Sequence, residues 1–85
     1  MKNSDADRHP EEHSFVLSNG IDPGARTIYL FGGVHEEMAF RFMVGFRMLD
    51  STEGPIRIVL NTGGGSETDG YAIYDAIAMA RNDVT

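Results

Sequence analysis

The stretch of sequence that decides the fold runs from residue 56 to residue 75 and reads IRIVLNTGGGSETDGYAIYD. Its first five residues are rich in β-branched side chains, which is typical of a buried strand. Glycines fill positions 63–65, and apolar residues then recur at helical spacing. We therefore predict a strand, a glycine loop and a helix in immediate succession.

Residues on the N-terminal side extend this pattern. Thr27–Phe31 is β-branched and aromatic and predicts another strand, whereas residues 34–50 carry apolar side chains at helical spacing. In that helix Gly45 is a mild fault, and Glu37 and Arg41 are spaced to pair. With a further strand expected to open at residues 84–85, the order of elements predicts an α/β fold in which helices cover a sheet.

Composition excludes several classes of function. The 85 residues allow at most one domain, and the absence of cysteine excludes disulfides and thiolate metal sites. The net charge of −6 argues against nucleic-acid and anionic-membrane partners, which need clustered Lys and Arg. No stretch approaches the roughly 20 apolar residues of a membrane helix, and no signal peptide is visible. We expect a cytoplasmic protein without a cofactor.

The N-terminal residues differ in composition from the rest. Residues 1–24 are polar apart from a short apolar patch at 15–17, and we expect a flexible extension there, with one weak strand at most, followed by a domain at 25–85. His9 and His13 are four residues apart, but Pro10 breaks the helix that a zinc-binding pair would need. We therefore predict no metal site. His35 is expected on the surface at a helix start.

Three interpretations of the glycine loop are chemically reasonable. Backbone N–H groups at such a loop bind either a phosphate or the negative oxygen of an attacked carbonyl, and the third interpretation is a structural turn. Ser66 and Glu67 stand where a phosphate-binding loop has its Lys-Ser/Thr pair, and the acid would repel a phosphate, so the phosphate interpretation fails. Ser66 is predicted to cap the helix, because a nucleophile elbow would need glycine in place of Thr68. The methionines at 38, 43, 48 and 79 are predicted to fill the core and interfaces.

Residues 61–75, NTGGGSETDGYAIYD, resemble the proteolytic subunit of the Clp protease, whose pattern reads N-[ST]-P-G-G-S-x-x-x-G-x-A-I-Y-D. Residues 26–34, RTIYLFGGV, resemble the opening strand of the same family, and the likeness runs from residue 26 to residue 85. Gly63 departs from the pattern, because it replaces the usual proline.

The resemblance implies a crotonase-like spiral of strand-strand-helix units and the activity of a serine endopeptidase. It also implies stacked homo-oligomeric rings that degrade unfolded polypeptides delivered by an ATP-driven unfoldase of the Clp type. The N–H of Gly65 would be half of the oxyanion hole. Gly64, Gly65, Ser66 and Glu67 would pair with the extended substrate.

The family's serine, histidine and aspartate would lie beyond Thr85, so the resemblance implies a truncated chain that is inactive alone. Two alternatives remain open. One is a non-catalytic ring subunit that binds partners, and the other is a crotonase-like enzyme whose glycine loop polarises a thioester carbonyl. The sequence YAIYD at 71–75 favours the Clp type over the thioester enzyme.

Overall fold

The computed structural model describes residues 18–85, which form three strands and two principal helices. They are β1 (Ile21–Asp22), β2 (Thr27–Phe31), α1 (Glu36–Asp50), β3 (Arg57–Asn61) and α2 (Glu67–Ala78). This succession confirms the predicted α/β fold. Our predictions for the apolar patch at 15–17 and for the two histidines at 9 and 13 lie outside the described residues.

The three strands form one sheet in the order β1-β2-β3. β1 pairs antiparallel with β2, and β2 pairs parallel with β3 over five residues, from Thr27 opposite Arg57 to Phe31 opposite Asn61. Parallel neighbours need a crossover connection, and α1 supplies it. The carboxyl ends of β2 and β3 therefore lie side by side at one edge of the sheet.

The free edge of β3 is paired by the last residues of the chain. Val84 forms a parallel bridge with Ile56, and the N–H of Thr85 donates to the carbonyl of Ile56 at 3.0 Å. The strand that we expected to open at residues 84–85 therefore begins beside β3.

Residues 18–24, which we assigned to the N-terminal extension, contribute to the sheet. Asp22 in β1 is buried, and the N–H of Tyr29 donates to the carbonyl of Gly20 at 2.7 Å. The sheet thus begins before residue 25.

The core lies between the sheet and one face of α1, where Phe42 and Phe46 stack with ring centroids 5.1 Å apart. The buried apolar residues are Ile28, Leu30, Met38, Ala39, Phe42, Phe46, Leu49, Ile56 and Ile73. Of the four methionines predicted to fill the core and interfaces, only Met38 is buried; Met43, Met48 and Met79 are exposed. No helix among residues 18–85 is long and apolar enough to cross a membrane.

Gly45 is a packing requirement of α1. It is buried, and a Cβ built there would overlap Cδ1 of Ile21 and lie 3.1 Å from its Cγ1. The missing side chain therefore makes the space in which β1 packs against the helix. Gly45, which interrupts the helical pattern, is therefore the residue that allows β1 to pack against α1.

The C-terminal end of α1 is held by Arg26, whose backbone has a φ of 49°. The guanidinium donates to the carbonyl oxygens of Leu49 and Gly54 at 2.8 and 2.9 Å and to Oγ1 of Thr52 at 2.7 Å. Of these acceptors, Leu49 lies in the last turn of the helix, where carbonyl groups lack a partner within the helix. Arg26 thus ties the start of β2 to the end of α1.

The predicted ion pair between Glu37 and Arg41 is wrong. The two side chains form no ion pair within the described part of the chain, and Arg41 instead donates to the carbonyl oxygen of Ser18 at 3.4 Å. Because Ser18 lies three residues before the start of β1, this contact turns the arginine towards that end of the sheet.

Candidate functional site

The glycine loop lies at the edge of the sheet where β2 and β3 both end. It connects Asn61, the last residue of β3, to Glu67, the first residue of α2. The N–H of Gly32 donates to the carbonyl of Asn61 at 3.1 Å, so the segment after β2 runs alongside the loop. Parallel pairing of the two strands thus brings the start of α1 next to the start of α2.

Val34 holds the loop in place through its backbone. Its N–H donates to the carbonyl of Gly64 at 2.9 Å, and its carbonyl accepts from the N–H of Ser66 at 2.8 Å. Both contacts belong to a parallel bridge between Val34 and Gly65. The residue just before α1 therefore fixes the conformation of the glycine loop.

This pairing turns the N–H of Gly65 away from Val34. In an extended segment successive backbone groups point to opposite sides, and Gly64 and Ser66 already use the side that faces Val34. Gly65 is exposed, and its N–H has no hydrogen-bond partner among residues 18–85. The loop thus presents the N–H of Gly65 as an exposed donor at the edge of the sheet.

Glycine is required at position 65 for two reasons. Its φ is +149°, and a Cβ would overlap the carbonyl oxygen of Val34 and approach its nitrogen to 2.9 Å. Gly64 has a φ of +102° with open space around it, so only its conformation favours glycine. Gly63 has neither a φ in this range nor a close neighbour.

Ser66 is the N-cap of α2, as predicted. Its Oγ accepts a hydrogen bond from the N–H of Asp69 at 3.2 Å, and its backbone is extended with φ −68° and ψ 122°. Glu67 follows as an exposed residue in the first turn. The four predicted site residues at 64–67 are consecutive and lie together on the exposed side of the loop.

His35 forms a contact that the sequence analysis did not predict. It is exposed at the start of α1, as expected, and its Nδ1 accepts a hydrogen bond from the N–H of Met38 at 3.2 Å. It is therefore the N-cap of α1. Two acids directly after it, Glu36 and Glu37, are the sequence signal of a helix start that could have indicated this role.

No metal site is found among residues 18–85, where no three His, Asp or Glu side chains form a group that could hold an ion. Acids at the start of α2, Glu67 and Asp69, also oppose a bound phosphate at the loop. An uncharged carbonyl group is an acceptor for the exposed Gly65 N–H that these acids do not repel.

Comparison with known proteins agrees with this geometry. The family model described as Clp protease matches residues 17–85. The chain belongs to the Clp protease family. This confirms the resemblance carried by the glycine loop, and no curated protein gives a significant match.

Solved structures of Clp peptidases have the same fold as this Clp-family chain. ClpP1 from Listeria monocytogenes aligns with a TM-score of 0.70 and 28% identity, covering 74% of this chain and 38% of ClpP1. An Asn-to-Asp mutant of that protein aligns equally well, with 37% of its length covered. The chain thus spans well under half the length of the Clp structures that it matches.

Proposed function

We propose that this chain carries the oxyanion-hole loop of a serine endopeptidase subunit of the Clp type. In this proposal the N–H of Gly65 donates a hydrogen bond to the carbonyl oxygen of the bond being cleaved. When a nucleophile attacks that carbonyl, the oxygen becomes negative, and a donor already in place stabilises it most in the transition state.

The observation that carries the proposal is the unused N–H of Gly65. Val34 takes up the carbonyl of Gly64 and the N–H of Ser66, which leaves the groups of Gly65 on the outer side. An extended peptide can pair with such an edge through main-chain hydrogen bonds. The segment from Gly64 to Glu67 would then hold the substrate chain, and Gly65 would bind the reacting carbonyl.

The nucleophile and its base come, in this proposal, from the part of the Clp fold that follows residue 85 in the family. Ser66 does not supply the nucleophile, because its Oγ already accepts the cap hydrogen bond from Asp69. An oxyanion donor alone supplies only a small part of peptidase catalysis. The isolated chain should therefore show no peptidase turnover.

The complete protein would act as its relatives do, in homo-oligomeric rings that degrade unfolded polypeptides supplied by an ATP-driven unfoldase in the cytoplasm. Exposed apolar side chains on α1 support an assembly of this kind. Phe40 and Met48 are 67% and 68% exposed, and Val44 lies between them on the same helix face. Such a stripe is more typical of an interface than of free surface.

The sharpest test removes the Gly65 N–H without adding a side chain. Chemical synthesis of this chain with an ester in place of the amide at Gly65, ligated to the catalytic remainder of a Clp peptidase, gives that variant. We expect kcat to fall by about 10²–10³, with little change in KM, because the donor acts mainly in the transition state. Steady-state hydrolysis of a fluorogenic peptide measures both constants.

The matched control places the ester at Gly64, whose N–H already donates to Oγ1 of Thr62 at 3.1 Å. That substitution perturbs the same loop and leaves the proposed donor intact, so its kcat should stay near that of the all-amide protein. Equal losses for both esters would mean that the loop is a structural turn without a catalytic donor.

A further inference from the structure

We infer that the apolar segment at residues 15–17, FVL, docks in a pocket between the sheet and the N-terminal half of α1 and completes the core from that side. These residues come directly before Ser18, where the described part of the chain begins. This packing role goes beyond the oxyanion function proposed for Gly65 and does not depend on it.

The pocket has a volume of about 480 Å³ and lies where β1 stops covering the edge of β2. Pairing of the two strands ends at the hydrogen bond from Tyr29 to Gly20, whereas β2 continues to Phe31. A cavity of about 150 Å³ accommodates benzene, so this pocket has room for more than one apolar side chain. Its apolar lining residues come from both strands and from α1: Ile21, Ile28, Leu30, Phe31, Met38 and Phe42.

The residues that precede β1 reach the pocket as the end of a helical turn. Ser18 and Asn19 are helical, and Gly20, with φ 68°, has the left-handed conformation in which glycine commonly ends a helix. All three residues line the pocket. Residues three and four positions apart lie on the same side of a helix. Continued towards the N-terminus, the same turn places Phe15 beside Ser18 and Asn19, on the side of the pocket.

Arg41 connects this turn to α1. Its guanidinium donates to the carbonyl oxygen of Ser18 at 3.4 Å, and both residues line the pocket. A chain extends by at most about 3.6 Å per residue, so the Cα atoms of residues 15–17 lie within about 11 Å of that of Ser18. Covalent connection alone therefore keeps the apolar segment next to the pocket.

The chemistry of the segment matches that of the pocket. Among the described residues of the lining, Arg41 is the only charged one, and it is exposed. Residues 15–17 are the only run of consecutive apolar residues in the first 17 positions, and Glu11 and Glu12 come shortly before them. Burial of the apolar segment and attraction between these acids and Arg41 both favour docking.

A segment of the same chain is favoured over a separate partner because it is tethered. A short linker keeps an attached group at an effective concentration in the millimolar range. A free peptide of the same chemistry would have to exceed that concentration to compete. The pocket is therefore assigned to residues 15–17, and residues 1–14 remain as the extension that the sequence predicts.

NMR spectroscopy of the full 85-residue chain tests this location. With labelled methionine methyl groups, nuclear Overhauser effects report which protons are in contact with Met38 in the pocket lining. We expect such effects between the Phe15 ring and Met38, and none between Phe15 and Met79, which is 83% exposed at the end of α2. A Phe15 ring without contact to any lining residue would overturn the inference.

Truncation of Phe15 measures what docking contributes to stability. Phe15→Ala should lower Tm by about 5 °C or more, because a buried aromatic side chain supplies a large part of the stability of a small domain. The matched control is His13→Ala, in the polar part of the same segment, which should leave Tm unchanged. Equal melting temperatures for Phe15→Ala and the wild type would contradict docking.

A mixture of isotopically labelled and unlabelled chains separates docking within one chain from docking between two. An isotope-filtered spectrum of this mixture shows contacts between Phe15 and Met38 only when they belong to different copies, and we expect none. Their appearance would mean that a second copy fills the pocket, which would overturn the assignment. No readout here needs peptidase activity, so failure is distinct from failure of the Gly65 ester experiment.

Discussion

Gly65 lies closer to the backbone of Val34 than any side chain would allow, and this is the most demanding contact in the glycine loop. Gly65→Ala should therefore break the bridge to Val34 and lower the free energy of unfolding by about 1–3 kcal/mol, the usual cost of a strained backbone position. Urea denaturation of the chain measures this. An unchanged unfolding free energy would show that the loop has room for a Cβ.

Gly63 provides the contrast within the same loop. It has open space, its φ is outside the left-handed region, and its N–H donates to no acceptor among residues 18–85. Gly63→Pro should therefore be tolerated, and it should stabilise the chain by about 0.4–1 kcal/mol by restricting the unfolded state. A clear destabilisation in the same urea experiment would contradict this.

Gly45 and Gly70 lie in different helices and should respond to alanine in opposite directions. Gly45→Ala gains helix propensity but forces a methyl group against Cδ1 of Ile21, which must turn away, so the net destabilisation should be up to about 2 kcal/mol. Gly70 has no atom near its missing side chain, so Gly70→Ala should gain up to about 1 kcal/mol of helix propensity. Thermal melts of both variants measure the contrast.

A second substitution tests the cause of the Gly45 effect. Ile21→Ala removes the atoms that the new methyl group would meet, so the added cost of Gly45→Ala should largely disappear in the double variant. If Gly45→Ala lowers the unfolding free energy equally with Ile21 present and with Ile21→Ala, the contact with Ile21 is not the cause of the destabilisation.

Local signals predicted part of the glycine loop and missed the rest. The Ser66 cap was predictable because Asp69, its donor, is only three residues away. The two backbone hydrogen bonds between Val34 and the glycine loop join residues about thirty positions apart. They depend on how β2 and β3 align, which no local pattern encodes. The family's usual residue at position 63 is proline, but this difference does not indicate which contacts hold Gly65 in place.

At the scale of elements, the two helices meet through Asp50 at the end of α1. Its Oδ2 accepts from the backbone N–H of Arg81 at 2.9 Å, and its Oδ1 accepts from the side chain of Asn82 at 2.8 Å. The Arg81 bond is the main cause that lowers the pKa of Asp50 below its ordinary value of 3.8, with the Asn82 bonds adding to it against some desolvation. The carboxylate thus joins the C-terminal end of α1 to the segment that follows α2.

This contact predicts a pH dependence of stability. Because the pKa of Asp50 is lower in the folded state, its contribution is fully present above pH 3.8 and is lost as the pH falls through the lower folded value. Asp50→Asn should therefore reduce the acid-induced loss of unfolding free energy in the range below pH 3.8, measured by urea titrations at several pH values.

Asp75→Asn is the control for that experiment, since it removes an exposed carboxylate from the surface of α2. The control should lose stability in acid as the wild type does. Identical acid profiles for wild type and Asp50→Asn would mean that the contact with Arg81 and Asn82 contributes nothing to the acid response.

The positions of α1, α2 and the two longer strands were predictable because each element has a clear periodicity. Which side of α1 faces the core was predicted less well, since Met43 lies at the margin of the buried face and is 42% exposed. A weak strand was allowed for within residues 1–24, but β1 could not be placed because it has only two residues, Ile21 and Asp22, in a polar segment. Its position depends on the backbone bond between Gly20 and Tyr29 and on the space at Gly45.

At the scale of the whole molecule, apolar side chains remain exposed on both helices. Besides Phe40 and Met48 on α1, Tyr71 and Tyr74 on α2 are 64% and 66% exposed. We expect the chain to self-associate, because so many exposed large apolar side chains on two neighbouring helices favour an interface. Light scattering after size exclusion measures the mass.

Replacing two of these side chains tests the source of association. Phe40→Gln with Met48→Gln should shift the mass towards the monomer, whereas Arg47→Gln, a polar exchange on the same helix, should not. A wild-type chain that runs as a single monomeric species would contradict the prediction.

The attachment of α1 at both ends has a mechanical consequence. The helix is 15 residues long, or about 22 Å, and it is secured at one end by Arg26 and at the other by the cap that adjoins Val34. Both ends of the helix are therefore fixed, and the stripe of Phe40 and Met48 lies on the exposed face between them. A partner that pushes against that stripe cannot tilt the helix about a free end. The force is transmitted to both attachment points, and one of these is the cap residue next to Val34, which holds Gly65 through backbone hydrogen bonds.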